Sequence, residues 1–280
     1  RLSALSRRAR PQPGRGPAWV SVPAMAEAIF LRDGDGFVPT ELSAGPWDPG
    51  SQHGGAPAAQ LARALEALPS EQPMRVARLT VELLRPAPMA RLTVTAEAAR
   101  PGRRVQLLTA RLSAGETEIA RATAVRIRAA DVPFPAVADE SPPPPPPEAG
   151  VDPRKGRWFG FGDAMDMVLV AGSIERPGPA TVWFRLRVPM VEGEEPSPLQ
   201  RVVAAADFGN GMSAVADFRD ALFINPDLSV YLHRPLEGEW VALAARTFAG
   251  QDGIGLAESA LHDRGGRIGR SLQSLLLDRR

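Results

Sequence analysis

The sequence predicts an α+β protein in which a long antiparallel sheet wraps one central helix, twice over. Three observations carry that expectation. Strand-like runs with period-two alternation far outnumber helical runs. Each half places strands first, then a single amphipathic helix, then four more strands. Between the halves lies DESPPPPPPEAGVDP, Asp139 to Pro153, which suits neither helix nor sheet interior and predicts an extended polyproline spacer.

The first half opens on AIFLRDGDGFVP, a hairpin whose turn is Asp33-Gly34-Asp35-Gly36. A Gly/Pro-rich loop from Trp47 to Gly55 leads into APAAQLARALEAL. There Pro57 fits the first helical turn, and Leu61, Ala64, Leu65 and Leu68 recur at helical spacing. MRVARLTVELLRP, ARLTVTAEAARPG, RRVQLLTARLSAG and TEIARATAVRIRA follow as four strands, each ending at Gly, Pro or an Ala-rich break.

The second half repeats the order. AMDMVLVAGSI and ATVWFRLRVPM read as strands, and SPLQRVVAAADF as a helix with Ser197 as N-cap and Pro198 at the first helical position. LSVYLHRPL, EWVALAARTFAG, GIGLAESALHD and GRIGRSLQSLLLD complete the set, with Gly265-Gly266 as the last hairpin turn. The expected organisation is a leader or upstream extension over 1–24, a first unit over 25–138, a linker over 139–156 and a second unit over 157–280. The leader carries five arginines and no acid, as an organelle transit peptide would; an extension upstream of Met25 is the preferred reading.

Composition removes several function classes. The net charge of +1 gives no global field for nucleic acid or an anionic membrane, and arginines alternate with acids rather than clustering. With no cysteine there is no disulfide, thiolate ligand or cysteine nucleophile. Three histidines, His53, His233 and His262, are scattered and suggest no metal site. No apolar run approaches the roughly 20 residues that span a bilayer, and the expected location is cytoplasmic. A G-x-S-x-G elbow is missing, and FGFGDAMD lacks the strand and G-K-[ST] ending of a phosphate loop.

One residue has two readings: Asp207 either points into solvent at a helix end or is there for chemistry. In RVVAAADFGNG, Arg201 to Gly211, Asp207 sits in the last turn of an otherwise small and apolar helix. A carboxylate there meets the negative end of the helix dipole.

The order of elements is that expected of a hotdog fold, and four motifs extend the resemblance. HGGAPAAQLARALEAL, His53 to Leu68, resembles the loop and helix in the first half of a TesB-type acyl-CoA thioesterase. NPDLSVYLHRP, Asn225 to Pro235, followed by Glu239-Trp240, is similar to a strand of that family's second half, and SLQSLLLDRR to its closing strand. The resemblance spans about residues 28 to 130 and 157 to 280. It implies a double hotdog that hydrolyses an acyl-CoA without a metal or redox cofactor, associating as a dimer or larger homo-oligomer.

The resemblance also implies a trio of Asp, Thr or Ser, and Gln that positions a water against the thioester. Asp207 and Gln273 fall on the first and last of these positions, and Asn225 replaces the hydroxyl. An Asn amide both donates and accepts. Burial and the helix end are expected to raise the pKa of Asp207. His53, Gly54 and Gly55 are expected to line the substrate site, the two glycines as oxyanion donors. Structural readings stand beside these: Gln273 as a polar residue on an alternating strand, Asn225 as an Asx turn before its proline, His53 as a loop histidine. His233 reads as strand structure and His262 as a hairpin residue; Trp158, Phe159 and Phe161 read as core or an acyl tunnel. Two other functions remain open: a catalytically weak protein that binds acyl-CoA or acyl carriers, and a hydratase or dehydratase. The latter wants an acid–histidine pair that no local motif supplies.

Overall fold

The structure is a computed structural model and describes residues 27–48, 50–134, 144–153 and 160–280. The expected leader, Met25, Trp158 and Phe159 lie outside them.

The first half runs β1 (Phe30–Asp33), β2 (Gly36–Pro39), α1 (Gly55–Glu66), β3 (Met74–Leu83), β4 (Leu92–Arg100), β5 (Val105–Ala114) and β6 (Thr117–Arg128). The second runs β7 (Met165–Gly172), β8 (Ala180–Leu186), α2 (Pro198–Ala206), α3 (Gly209–Met212), β9 (Ala221–Ile224), β10 (Asp227–Leu232), β11 (Val241–Ala249), β12 (Ile254–Asp263) and β13 (Gly266–Arg279). Every expected strand and both expected helices are present. Two short elements were not anticipated: β9, which pairs with the end of β13, and the single turn α3.

The sheets of the two units are continuous. Among the described residues, thirteen strands form one antiparallel sheet, in the order β1-β2-β4-β5-β6-β3-β10-β13-β12-β11-β8-β7, with β9 off that path. The halves meet where β3 pairs with β10, Leu79 opposite Val230. Both residues are buried, so the seam is also core. Each half thus covers the edge strand that the other would leave open.

The spacer reading is corrected in part. Residues 144–153 pack against the second half: Pro147 is buried, Val151 bridges Leu169 of β7, and the Trp183 indole N–H donates to the Pro145 carbonyl at 2.7 Å. An exposed ion pair joins Glu148 to Arg264.

Inside the sheet, α1 and α2 pack against each other in opposite directions. A Cβ on Gly55, at the start of α1, would lie 2.9 Å from the carbonyl oxygen of Ala204, near the end of α2. At the other end, the hydroxyl of Ser197 donates to Glu66. Ala56, Ala58, Ala59 and Ala62 of α1 and Ala204, Ala205 and Ala206 of α2 are buried, so small residues bring both helices close under one sheet. Ser197 caps α2 through a reciprocal box with Gln200, as the sequence suggested.

Candidate active site

Asp207 is the C-cap of α2, with helical backbone angles, and is buried. Its own helix presents carbonyls to it, but the opposed packing places the amino end of α1 against its carboxylate. The Gly55 N–H donates to that carboxylate. The unfavourable dipole of one helix is offset by the favourable end of the other. After Phe208 the chain makes one more turn, α3, which carries Asn210.

Asp207, Asn225 and Gln273 are brought together. The Asn225 amide donates to Oδ1 of Asp207 at 2.8 Å, and the Gln273 amide donates to the same oxygen at 3.3 Å. Each amide is held in turn. Gln273 Oε1 accepts the Asn210 N–H at 3.1 Å, and its Nε2 also lies 3.3 Å from the Asp207 carbonyl. Asn225 Oδ1 receives the Asn210 amide at 3.4 Å, while its Nδ2 reaches the Asp227 carbonyl at 3.1 Å. That last bond replaces the Asx turn considered for Asn225, which would use the side chain as acceptor. Pro226 separates β9 from β10 and leaves Asn225 at the corner between them. The role of Asn210 was missed; its only sequence signal is adjacency to Asp207 in a loop-like, glycine-rich stretch.

His53 joins this cluster from the other half. Its Nδ1 lies 3.0 Å from Asp207 Oδ2. Nδ1 also lies 3.1 Å from the Gly55 nitrogen, and one atom cannot donate to the acid and accept from the amide together. Contact with a carboxylate requires the proton on Nδ1, so we place it there and direct the Gly55 N–H to Asp207. The ring stacks between Phe208, centroids 4.5 Å apart, and Phe161, at 5.0 Å. Its backbone is pinned by bonds from its N–H to the Ser43 carbonyl and from Ala56 to its own carbonyl. The acid–histidine pair absent from local sequence is therefore present in space, across residues 154 positions apart.

Two expectations are corrected by this geometry. Desolvation pushes the Asp207 pKa up, but hydrogen bonding and charge from His53, the Asn225 amide and the Gly55 N–H outweigh it, so the pKa lies below the ordinary aspartate value. Asp207 is thus held ionised. The Gly55 N–H is spent on that acid and is not a free oxyanion donor. Gly54 is needed for space: a Cβ there would stand 2.8 Å from Asp207 Oδ2.

The other histidines lie elsewhere. His233 follows β10 and is exposed, with its N–H on the Ile268 carbonyl at 3.0 Å; His262 is buried on β12. Phe161 is core as well as a wall of the His53 slot. Among the described residues no group of His, Asp and Glu has the arrangement of a metal site, and no helix is long and apolar enough to cross a membrane. A groove of about 1060 Å³ lies at the far end of the helices, lined by Arg75, Arg126, Arg128 and Arg234. There the C-cap of α1 is Ala67, where α2 has Asp207, and Arg126 donates to the Leu68 and Pro69 carbonyls.

Comparison with known proteins follows this division of the chain. Residues 43–127 match the acyl-CoA thioesterase N-terminal domain, and residues 136–277 match the acyl-CoA thioesterase C-terminal domain. No curated protein sequence matches. Among solved structures, a conserved protein of unknown function with a hot dog fold from Alicyclobacillus acidocaldarius superposes with a TM-score of 0.72 at 18% identity, covering 91% of this chain and 97% of its own. A tesB protein from Mycobacterium avium subs paratuberculosis gives 0.63 at 15% identity, covering 89% and 96%. Acyl-CoA thioesterase II TesB2 from Mycobacterium marinum gives 0.63 at 16% identity, covering 85% and 97%. At these identities the structures establish the double hotdog fold, while the two matched domains establish the family. The chain belongs to the acyl-CoA thioesterase family and is a thioester hydrolase.

Proposed function

We propose that the Asp207 centre hydrolyses an acyl-CoA to free acid and CoA, using a water activated beside the acid that Asn225 and Gln273 fix. The observation that supports this is the convergence of both amides on one buried carboxylate oxygen. A buried, ionised acid fed by neutral donors stabilises positive charge as water loses a proton. Substituting Asn for the hydroxyl residue keeps a donor to Asp207. Release of CoA, followed with a thiol reagent across an acyl-CoA series, tests the reading. Asp207→Asn should lower kcat by roughly 10³-fold; binding of acyl-CoA by the native protein without turnover would leave a carrier-binding function instead.

The His53–Asp207 pair also favours a second reading, hydration of an enoyl thioester at the same centre. Loss of 2-enoyl-CoA absorbance without CoA release would select it. Self-association belongs to the same proposal. Phe248 and Leu256, and Ile254 and Leu276, form cross-strand pairs exposed on one face of the sheet, an apolar patch of the kind that assembly covers. A solution mass equal to one chain would remove that part.

A further inference from the structure

We propose that His53 is the proton-carrying residue of this site and that Asp207 positions it. The inference rests on the hydrolytic reading above and concerns which group moves the proton. An ionised carboxylate has about four acceptor positions. At Asp207 four donors occupy them: the Asn225 amide, the Gln273 amide, the Gly55 N–H and His53 Nδ1. The acid is buried, and its proton affinity is lowered by His53, the Asn225 amide and the Gly55 N–H. A water reaching it must displace one of them, and each donor is anchored by its own backbone or by Asn210.

His53 has the opposite character. Its Nδ1 is committed to Asp207, which fixes the tautomer that leaves Nε2 with a lone pair. Nε2 bonds to no described residue and is not enclosed, although the side chain is only 12% exposed. The ring faces Phe161 and Phe208 on its flanks, and Asp207 is the only ionisable side chain within ion-pair distance of it among the described residues. Stacking and the bond to Asp207 leave the imidazole one orientation, with Nε2 as its open end.

The chemistry balances on this atom. Nε2 takes one proton from water as the water oxygen bonds to the thioester carbon, and the carbonyl becomes an oxyanion. The imidazolium is then paired with the Asp207 carboxylate, which repels no charge and loses no donor. When the C–S bond breaks, the sulfur leaves with the electron pair and collects the proton from Nε2. Products are the acid and the thiol, and His53 returns neutral.

The test uses His53→Asn, whose side-chain amide replaces Nδ1 as donor to Asp207 but supplies nothing at Nε2, and His53→Ala with added imidazole. Thermal unfolding of each variant establishes that it is folded. The expected result for His53→Asn is a kcat lower by about 10²–10³-fold, KM within about threefold, and loss of the ascending limb of the pH–rate profile. Imidazole should restore part of the activity of His53→Ala and none of that of Asp207→Asn. Retention of kcat within about threefold, or a reduced kcat with an unchanged pH limb and no rescue, would overturn the assignment and return the proton to Asp207. Failure of the native protein to release CoA from any acyl-CoA would instead remove the hydrolytic reading on which the assignment rests.

Discussion

A Cβ placed on Gly54 would lie 2.8 Å from Oδ2 of Asp207 and 2.9 Å from a methyl of Leu83. The backbone of Gly54 is in the ordinary helical region, so this glycine is required by crowding and not by conformation. Gly54→Ala should therefore push the acid off its partners, lowering stability by about 1–3 kcal/mol and kcat/KM by at least tenfold. A variant with native kinetics would show that the start of α1 can retreat, and denaturant titration with a CoA-release assay decides it.

Asp207 also sets a pH dependence of stability. Its folded pKa lies below the unfolded value, which is about 3.9. Its contribution is therefore present above that value and is lost as pH falls through the folded pKa. Urea unfolding of the native protein should weaken between about pH 5 and pH 3, and Asp207→Asn should show a shallower decline over the same window. Parallel declines would show that the acid gains no net stabilisation from its four donors.

A second buried acid is purely structural. Asp263 takes two bonds from Arg234, at 2.5 and 2.6 Å, and accepts the N–H groups of Glu237 and Gly265 at 3.0 and 2.8 Å. Its side chain is fully enclosed. Asp263→Ala leaves the Arg234 charge and two backbone donors without an acceptor, at a cost of about 3 kcal/mol. Because Arg234 lines the groove at the far end of the helices, kcat per folded molecule should stay native. A drop in kcat with unchanged stability would contradict this.

The shared seam predicts cooperative unfolding. Leu79 of β3 and Val230 of β10 are opposite one another in the strand pair that makes the sheet continuous between the halves. Fluorescence and far-UV circular dichroism should report one coincident transition in denaturant. Leu79→Ala, in the first half, should shift both probes together by about 2–5 kcal/mol. Two separated transitions would mean that the halves unfold as independent units.

Alternation of side chains and turn residues exposed every long strand, because a half-buried sheet imposes period two on its sequence. β9 escaped because four residues ending at Asn225-Pro226 are too few to show a period, and α3 because Gly209 and Gly211 read as loop. The family resemblance singled out Asp207, Asn225 and Gln273, and the fold brings both amides onto the one carboxylate. The pairing of His53 with Asp207 was not legible in the sequence, because it depends on two helices packing in opposite directions. The same packing reversed the expected pKa shift: sequence shows the carbonyl end of α2 around Asp207, and only the fold brings the amide end of α1 to it. The continuity of the sheet was equally hidden, since β3 and β10 are matched by edge exposure and not by any signal within either strand.

Ala67 closes α1 where Asp207 closes α2. A duplicated architecture thus offers two helix ends and places an acid at the C-cap of only one. On the proposed reading, the end that carries Asp207 takes its histidine and its backbone amide from the other half, so neither copy would be a complete catalyst. Stoichiometry follows: a tight substrate analogue should titrate one equivalent per chain, not two. On that reading the duplication is a division of labour, in which the first copy supplies the proposed base and the second supplies the fixed negative charge.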